Sequence, residues 1–435
     1  MDAIVPRQRW LHIIPPAMVM YTVAFMDRVN IGFAAPGMAE TFKATPTQIG
    51  GALGVFFLGY MLLPVPAGYL AEHWSTKKWV TILLMGWALA GFASGMAQNL
   101  MQVYLARFCL GFFEGGVWPA VIVLIGQWFP RQERATANSL WEVSLPIAAM
   151  VTAPLSGVLV PFIGWRGMLI AESVPPLVWA VVWWCMVDDR PETARWISDA
   201  ERQYIEEKLK QERSAVRPVP LSIAWKAMIH PGTLLLAAVY FLSIVGSYGL
   251  QLWAPTIIKA LGVGYGKTGL LLMIPNFCAI WAMIGAGRIS DYLQKRKVVV
   301  SAVLFMSSIG FVFMGISGTK VVWLTILFMS IATAGFFARQ GPLWVIPQQT
   351  LPPGAVGLAL AVINLLGNFG GSVGPWLMGY IKTTTNSFIA GFYTLAGVLF
   401  LSSFLVLFVN ETKRIDLGVP ASDRERRNAV ESGKG

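Results

Sequence analysis

Read for its apolar and polar positions, the chain resolves into long apolar runs, each of about 20 residues or more, separated by short polar breaks. The runs lie at about 11–35, 47–71, 79–97, 101–129, 138–160, 166–187, 233–258, 268–290, 298–317, 321–347, 356–381 and 387–409. Membrane β-strands alternate with a period of two, which these continuous runs do not show. The pattern predicts an all-α polytopic membrane protein with twelve transmembrane helices. The longest break, 188–232, carries both charge signs and the segment SDAERQYIEEKLKQE, where Ser198 and Glu201 stand at capping-box spacing. It reads as a linker with one amphipathic helix whose charged face is solvated. The predicted organisation is a six-helix half over 1–187, a linker over 188–232, a second half over 233–409 and a tail over 410–435.

The two halves carry collinear matches at a spacing of about 220 residues. GYLAEHWSTKK from Gly68 parallels GRISDYLQKRK from Gly287, GFFEGG from Gly111 parallels GFFARQG from Gly335, and APLSG ending at Gly157 parallels GPWLMG ending at Gly379. Three weak matches in one order point to a duplicated unit.

Composition agrees with lipid as the solvent, since 56% of residues are hydrophobic and only 13% charged. A net charge of +11 suggests nucleic acid until the basic residues are located. Arg7, Arg9, Lys77, Lys78, Arg131, Arg134, Lys295, Arg296, Lys297, Lys413 and Arg414 fall on one side of the predicted topology. Lys43, Arg166, Lys259, Lys267, Lys320 and Lys382 fall on the other. The positive-inside rule then places both termini in the cytoplasm and removes the need for a nucleic-acid partner. The first run carries Asp27 and Arg28 with no small-residue cleavage site, so it reads as a retained helix. Cys109, Cys185 and Cys278 have neither metal-ligand spacing nor a paired pattern and read as packing residues.

An ionisable side chain at the bilayer centre costs about 2.5–3.5 kcal/mol on insertion scales, so each one inside these helices needs a partner or a purpose. They are Asp27, Arg28, Arg107, Glu114, Glu142, Glu172 and Arg339. Arg107 and Glu114 lie two turns apart on one helical face, whereas Asp27 and Arg28 point about 100° apart. Buried ion pairs that lock helices are the structural reading of this set. The quartet Asp27, Arg28, Arg107 and Glu114 sums to zero, and Arg339 adds a positive charge that favours an anion. An arginine fork binds a carboxylate through two parallel hydrogen bonds, and buried carboxylates carry protons.

The paired turns resemble the major facilitator signature G-x-x-x-D-x-x-G followed by basic residues. The first copy departs from it with Glu72 and Ser75, and the second keeps Asp291. The resemblance implies a twelve-helix fold of two six-helix halves rocking about a midplane site. It assigns a gating role to Gly68, Glu72, Lys77, Lys78, Gly287 and Asp291. FMDRVNIGFA, RFCLGFFEGGVWPA, GWRGMLIAES and NLLGNFGGSVGP further resemble the anion:cation symporter family. That family includes proton-coupled bacterial permeases for phthalate, tartrate, hydroxyphenylacetate and sugar acids.

By this resemblance Arg28 and Arg107 engage the substrate carboxylate, and Asp27 and Glu114 are the proton-coupling acids. Tyr60, Trp344 and Asn364 match substrate-contacting positions of sugar-acid members. Phe25 stands where those members often carry tyrosine, which points to a less hydroxylated substrate. Arg339, one position beyond the repeat equivalent of Glu114, either binds a second carboxylate or forms a gate-side salt bridge. Glu172 reads as structural, and Glu142 as lying near the cytoplasmic gate. Trp118, Trp141, Trp253 and Trp344 are aromatic walls or packing residues.

His12, His73 and His230 are scattered and GNFGG lacks the context of a phosphate loop, which argues against an enzyme, a metal site or a nucleotide site. The resulting expectation is proton-coupled uptake of a small organic carboxylate by a monomer in the bacterial inner membrane, with protons in place of any cofactor. The rivals are an organic-anion exchanger, a sodium-coupled carrier and a non-transporting ligand sensor.

Overall fold

The structure, a computed structural model, describes residues 7–142, 144–215, 221–318, 321–351 and 353–411. Among the described residues the regular secondary structure is entirely helical. A helix satisfies all its backbone hydrogen bonds internally, which lipid cannot do for it. The first crossing joins α1 (Gln8–Val29) to α2 (Ile31–Phe42). The second joins α3 (Pro46–Tyr60) to α4 (Pro64–Leu70), followed by a π turn at Ala71–Ser75. The third is α5 (Thr76–Met96), and the fourth is α6 (Leu100–Gly115) with α7 (Val117–Trp128). The fifth and sixth use α8 (Arg131–Glu142), α9 (Ser144–Glu172) and α10 (Val174–Met186). They turn within α9 at Gly164, whose φ of 70° is open to glycine and costly for other residues.

The linker holds α11 (Asp199–Ala215) and α12 (Leu221–Met228). The second half begins with α13 (Pro231–Gln251) and α14 (Ala254–Lys259), then α15 (Tyr265–Leu293) and α16 (Arg296–Ser317). It continues with α17 (Val322–Ala338), α18 (Gln340–Thr350), α19 (Pro353–Asn368), α20 (Gly370–Thr385) and α21 (Ile389–Leu405). Nine apolar stretches among the described residues are long enough to cross a membrane. Two of them, Pro46–Met96 and Ile147–Met186, each fold back once, at Ser75 and Gly164. The first crossing is less apolar because it carries Asp27, Arg28 and Asn30, and with it the chain makes the twelve crossings of its fold.

Several apolar runs that read as continuous in sequence are interrupted helices. The joints fall at Asn30, Gly116, Trp253, Arg339 and Phe369. Asn30 is three residues from Asp27, Gly116 two from Glu114, and Arg339 is itself a joint. Each joint keeps right-handed helical dihedrals, so it is a one-residue irregularity rather than a break in the run.

The linker departs from expectation in two ways. It forms two helices rather than one, and although Asp199, Glu206, Glu207 and Lys210 of α11 are exposed, one of its acids is buried. Glu201 is fully buried, and its carboxylate accepts from the backbone N–H groups of Gln8 at 2.9 Å and Arg9 at 3.3 Å. It thereby caps α1 from another element, while the Arg9 guanidinium pairs with both Glu201 and Glu133. Only half of the expected capping box forms, because Ser198 Oγ accepts from the Glu201 N–H but the Glu201 side chain is taken by α1. The Trp196 ring stacks on His12 at 4.1 Å and on Trp128 at 4.8 Å. The predicted tail lies outside the described residues from 412 onward, Lys413 and Arg414 included.

The halves meet through α3 with α20, α9 with α15, and α2 with α14. The closest of these contacts lie on the face opposite the linker. Thr47 and Thr383 hydroxyls stand 2.8 Å apart, and Ser372 donates to the Gly54 carbonyl at 2.8 Å. A Cβ at Gly50 would lie 2.4 Å from the Pro375 oxygen, so only glycine permits the approach. No element pair joins the halves to a comparable extent on the linker face among the described residues. The molecule is sealed on one side and parted on the other.

Cysteines at positions 47 and 383, in a background with Cys109, Cys185 and Cys278 replaced by serine, are therefore expected to cross-link readily in the purified protein. Cross-linking should abolish turnover and a reductant should restore it, as read by gel shift and transport assay. A pair that resists oxidation would mean that the sealed face is open at rest.

Candidate functional site

Four ionisable side chains of the first half converge beside the joints of the first and fourth crossings. Arg28, at the end of α1, is buried and forms an ion pair with Glu114 of α6, with Nε 3.0 Å from Oε1. A second guanidinium nitrogen approaches the same carboxylate oxygen, so one oxygen takes two donors and Glu114 Oε2 is left without a partner. The remaining nitrogen of Arg28 donates to the Tyr248 hydroxyl of α13 at 3.3 Å, a polar contact across the two halves. Three aromatic rings surround the cation, Tyr60 at 4.9 Å, Phe56 at 5.4 Å and Phe25 at 5.5 Å. Such faces stabilise a guanidinium that water no longer reaches. Phe25, read from sequence as a lost polar contact, is part of this aromatic cage.

Arg107, two turns before Glu114 on α6, is 1% exposed. Its Nη1 donates to the Asp27 backbone carbonyl at 2.9 Å, while Nε and Nη2 have no partner. A buried cation with unfilled donors is a costly arrangement unless an anion comes to it. The Asp27 carboxylate turns the other way, into the first-half bundle. It accepts from Trp87 Nε1 at 2.6 Å and from Asn30 Nδ2 at 3.1 Å.

The second half contributes Arg339, at the joint of α17 and α18 and 2% exposed. It donates to Gln340 Oε1 at 2.9 Å and lies 5.0 Å from the Tyr240 ring, and its Nε has no partner. No ion pair reaches Arg339 or Arg107 among the described residues. The expected gate-side salt bridge of Arg339 is thus not formed in this state. Trp344 packs edge-on against Tyr240 at 5.0 Å, and Asn364 accepts from Asn368 at 2.7 Å. Tyr240 and Tyr248, two turns apart on α13, project toward Arg339 and Arg28 respectively. Sequence reading missed both because they sit inside an apolar run, although their eight-residue spacing marks a single helical face.

The turn residues are placed differently from the chemistry assigned to them. Glu72 is exposed and without an ion pair among the described residues, and Lys78 is also exposed. The acid that organises this turn is Asp189, which follows the sixth crossing. It accepts from Ser75 Oγ at 2.6 Å and from the Lys77 N–H at 2.7 Å, while Lys77 Nζ pairs with Asp188 at 3.1 Å. A side chain on Gly68 would make only ordinary contact with Pro119, and Gly287 faces open space. Asp291 pairs with Arg296 at 2.6 Å within its own turn. The Glu142 side chain lies outside the described residues. Trp253 donates to the Pro375 carbonyl on the sealed face, and Trp141 packs against Tyr21, so both are packing residues.

Removing one member of the Arg28–Glu114 pair strands the other. Glu114→Ala is expected to cost about 3–5 kcal/mol and to lower the melting temperature of the detergent-solubilised protein. The double change Arg28→Met with Glu114→Leu should recover most of that loss, as followed by intrinsic fluorescence.

The model of the Major Facilitator Superfamily matches residues 17–375. A putative tartrate transporter of Agrobacterium vitis is 32% identical over 412 residues, covering 93% of this chain and 94% of that protein. A quinolone resistance transporter of Acinetobacter baumannii is 31% identical over 409 residues, covering 91% and 93%. The inward-open structure of the E. coli xylose transporter superposes with a TM-score of 0.74 at 15% identity, covering 94% of this chain and 98% of that one. That likeness establishes the fold. A family match over most of the chain, together with full-length relatives named as transporters, makes this chain a multi-pass membrane transporter of the Major Facilitator Superfamily.

Proposed function

We propose that the protein takes up a small organic carboxylate together with protons across the bacterial inner membrane, by alternating access and as a monomer. The observation that carries this reading is the pair of buried arginines, Arg107 and Arg339, one in each half, which keep unpartnered guanidinium nitrogens and form no ion pair among the described residues. An anion bound between Arg107 and Arg339 satisfies both and draws the halves together. Tartrate and the quinolones are unlike in shape, but each carries a carboxylate, and that is the group an arginine fork selects.

Proton coupling follows from the Arg28–Glu114 pair. Glu114 occupies the Arg28 fork that a substrate carboxylate would take. A proton on Glu114 frees Arg28 for the substrate at no net change in buried charge, so proton and anion enter together. Asp27 gives a second proton position, and the turn chemistry at Lys77 and Asp291 belongs to the gate. With the termini in the cytoplasm, as the basic residues of the linker face require, the sealed face is periplasmic and the carrier rests inward-facing. Arg339 gives a docking point for a second carboxylate.

The test is uptake into liposomes of aromatic, dicarboxylic and sugar acids, with and without an inward proton gradient. The expected result is gradient-driven accumulation of one class, with Arg339→Ala reducing dicarboxylate uptake at least about tenfold while sparing monocarboxylates. Exchange indifferent to the gradient would contradict coupling and select an exchanger. Undiminished dicarboxylate transport by the variant would remove Arg339 from the site.

A further inference from the structure

The face that seals the halves also holds a cavity between them, and none of Arg28, Arg107 and Arg339 lines it. It measures about 340 Å³, within the range of small-molecule sites. Both halves build it, the first through α2 and the start of α3, the second through α14 and the connection from α20 to α21. Ala35 and Ile49 form a buried floor, and Trp253 and Phe388 stand as aromatic walls with ring centroids 5.6 Å apart. Ala260 and Asn386 lie exposed at the rim, so the cavity is mostly apolar and reached from the sealed side.

Two polar groups of the lining are unspent. Lys382, in the last turn of α20, holds Nζ 5.0 Å from the centre of the Phe388 ring and donates to the Asn386 carbonyl at 2.7 Å. An ammonium group carries further N–H donors, and Lys382 makes no ion pair among the described residues. Thr256 Oγ1 is buried without a hydrogen-bond partner, which is costly unless a ligand supplies one. The surroundings carry the same sign as Lys382. Among the described residues of the sealed face, Glu40 is the one carboxylate against Lys43, Arg166, Lys259, Lys267 and Lys382. Such an excess concentrates anions at the mouth of the cavity. One cation, one unfilled hydroxyl and two aromatic walls match an anion with a single carboxylate and a flat apolar body.

We propose that this cavity is a second anion site, which takes an aromatic monocarboxylate of the size of benzoate and holds it between the halves on the sealed face. Because residues of both halves build the site, it is complete only while that face is closed. A ligand that binds one of two conformations draws the equilibrium toward it. On the alternating-access reading above, an acid bound here therefore holds the sealed face shut and slows the turnover of the central site. The binding site itself stands on the cavity alone.

Photolabelling of the purified protein in nanodiscs with para-azidobenzoate, mapped by mass spectrometry of its peptides, tests the site by location. Label is expected on the segments 253–260 and 382–388, and excess benzoate should suppress it. Lys382→Gln, a change at the rim that leaves the central site intact, should raise the concentration of probe needed for half-maximal labelling about tenfold, through loss of a charge-assisted hydrogen bond. Ala39→Phe, which fills the cavity and keeps Lys382, should remove the label. Label absent from these segments, or present there and unmoved by both variants, would overturn the proposal. Benzoate added on the sealed side of liposomes should also slow uptake by the wild type and not by Ala39→Phe. Labelling without that slowing would leave the site standing and refute the alternating-access reading on which the inhibition rests.

Discussion

The ion pair between Arg28 and Glu114 is the contact on which the arrangement of the centre depends. Neither charge has water to solvate it, and a charge left alone at this depth is more costly than any packing defect around it. The pair ties α1 to α6 through its side chains, and a Cβ on Gly111 would lie only 1.9 Å from the Phe56 carbonyl, so α3 packs closely on α6. Phe56, Tyr60 and Phe25 then form the aromatic wall around the cation. Glu114 Oε1 is taken by Arg28, and the unpartnered Nε and Nη2 of Arg107 mark where an anion can bind. Asp27 is turned to the opposite side of α1, which separates acid chemistry behind the helix from anion chemistry in front of it.

That separation extends to the halves. The first half holds the acids and two of the arginines, and the second supplies Arg339 with Tyr240 and Tyr248. Between them the direct polar link at the centre is the hydrogen bond from Arg28 to Tyr248, a weak tie compared with the glycine-lined packing of α3 on α20. The sealed face therefore carries the mechanical load. On the linker face, Glu201 and Arg9 bind α11 to the first half, whereas α12 packs on α19 of the second. Each linker helix thus belongs to a different half.

Much of this was legible in sequence. The lipid-spanning runs and the ionisable residues inside apolar stretches follow from elementary transfer costs, the duplicated half from its collinear matches, and Asp27, Arg28, Arg107 and Glu114 do lie together. The pairing was not legible, because periodicity places residues on a helix face without saying which neighbour faces it. The joints at Asn30, Gly116 and Arg339 were invisible to any apolar average, since each is one residue wide. Asp189 was missed because it follows the sixth crossing, far in sequence from the turn it organises, and a local signature pointed to Glu72 instead. The buried Glu201 was misread for the opposite reason, since a mixed-charge helix reads as solvated until the helix end it caps is in view.

The central claim is that substrate carboxylate and Glu114 compete for Arg28, and the direct measurement is proton exchange on binding. Purified protein in weakly buffered solution at neutral pH, with a pH indicator present, is titrated with tartrate or another acid that the transport panel identifies. The account predicts uptake of about one proton for each substrate molecule bound, lost in Glu114→Gln. Binding without proton uptake, or uptake that persists unchanged in that variant, would contradict it.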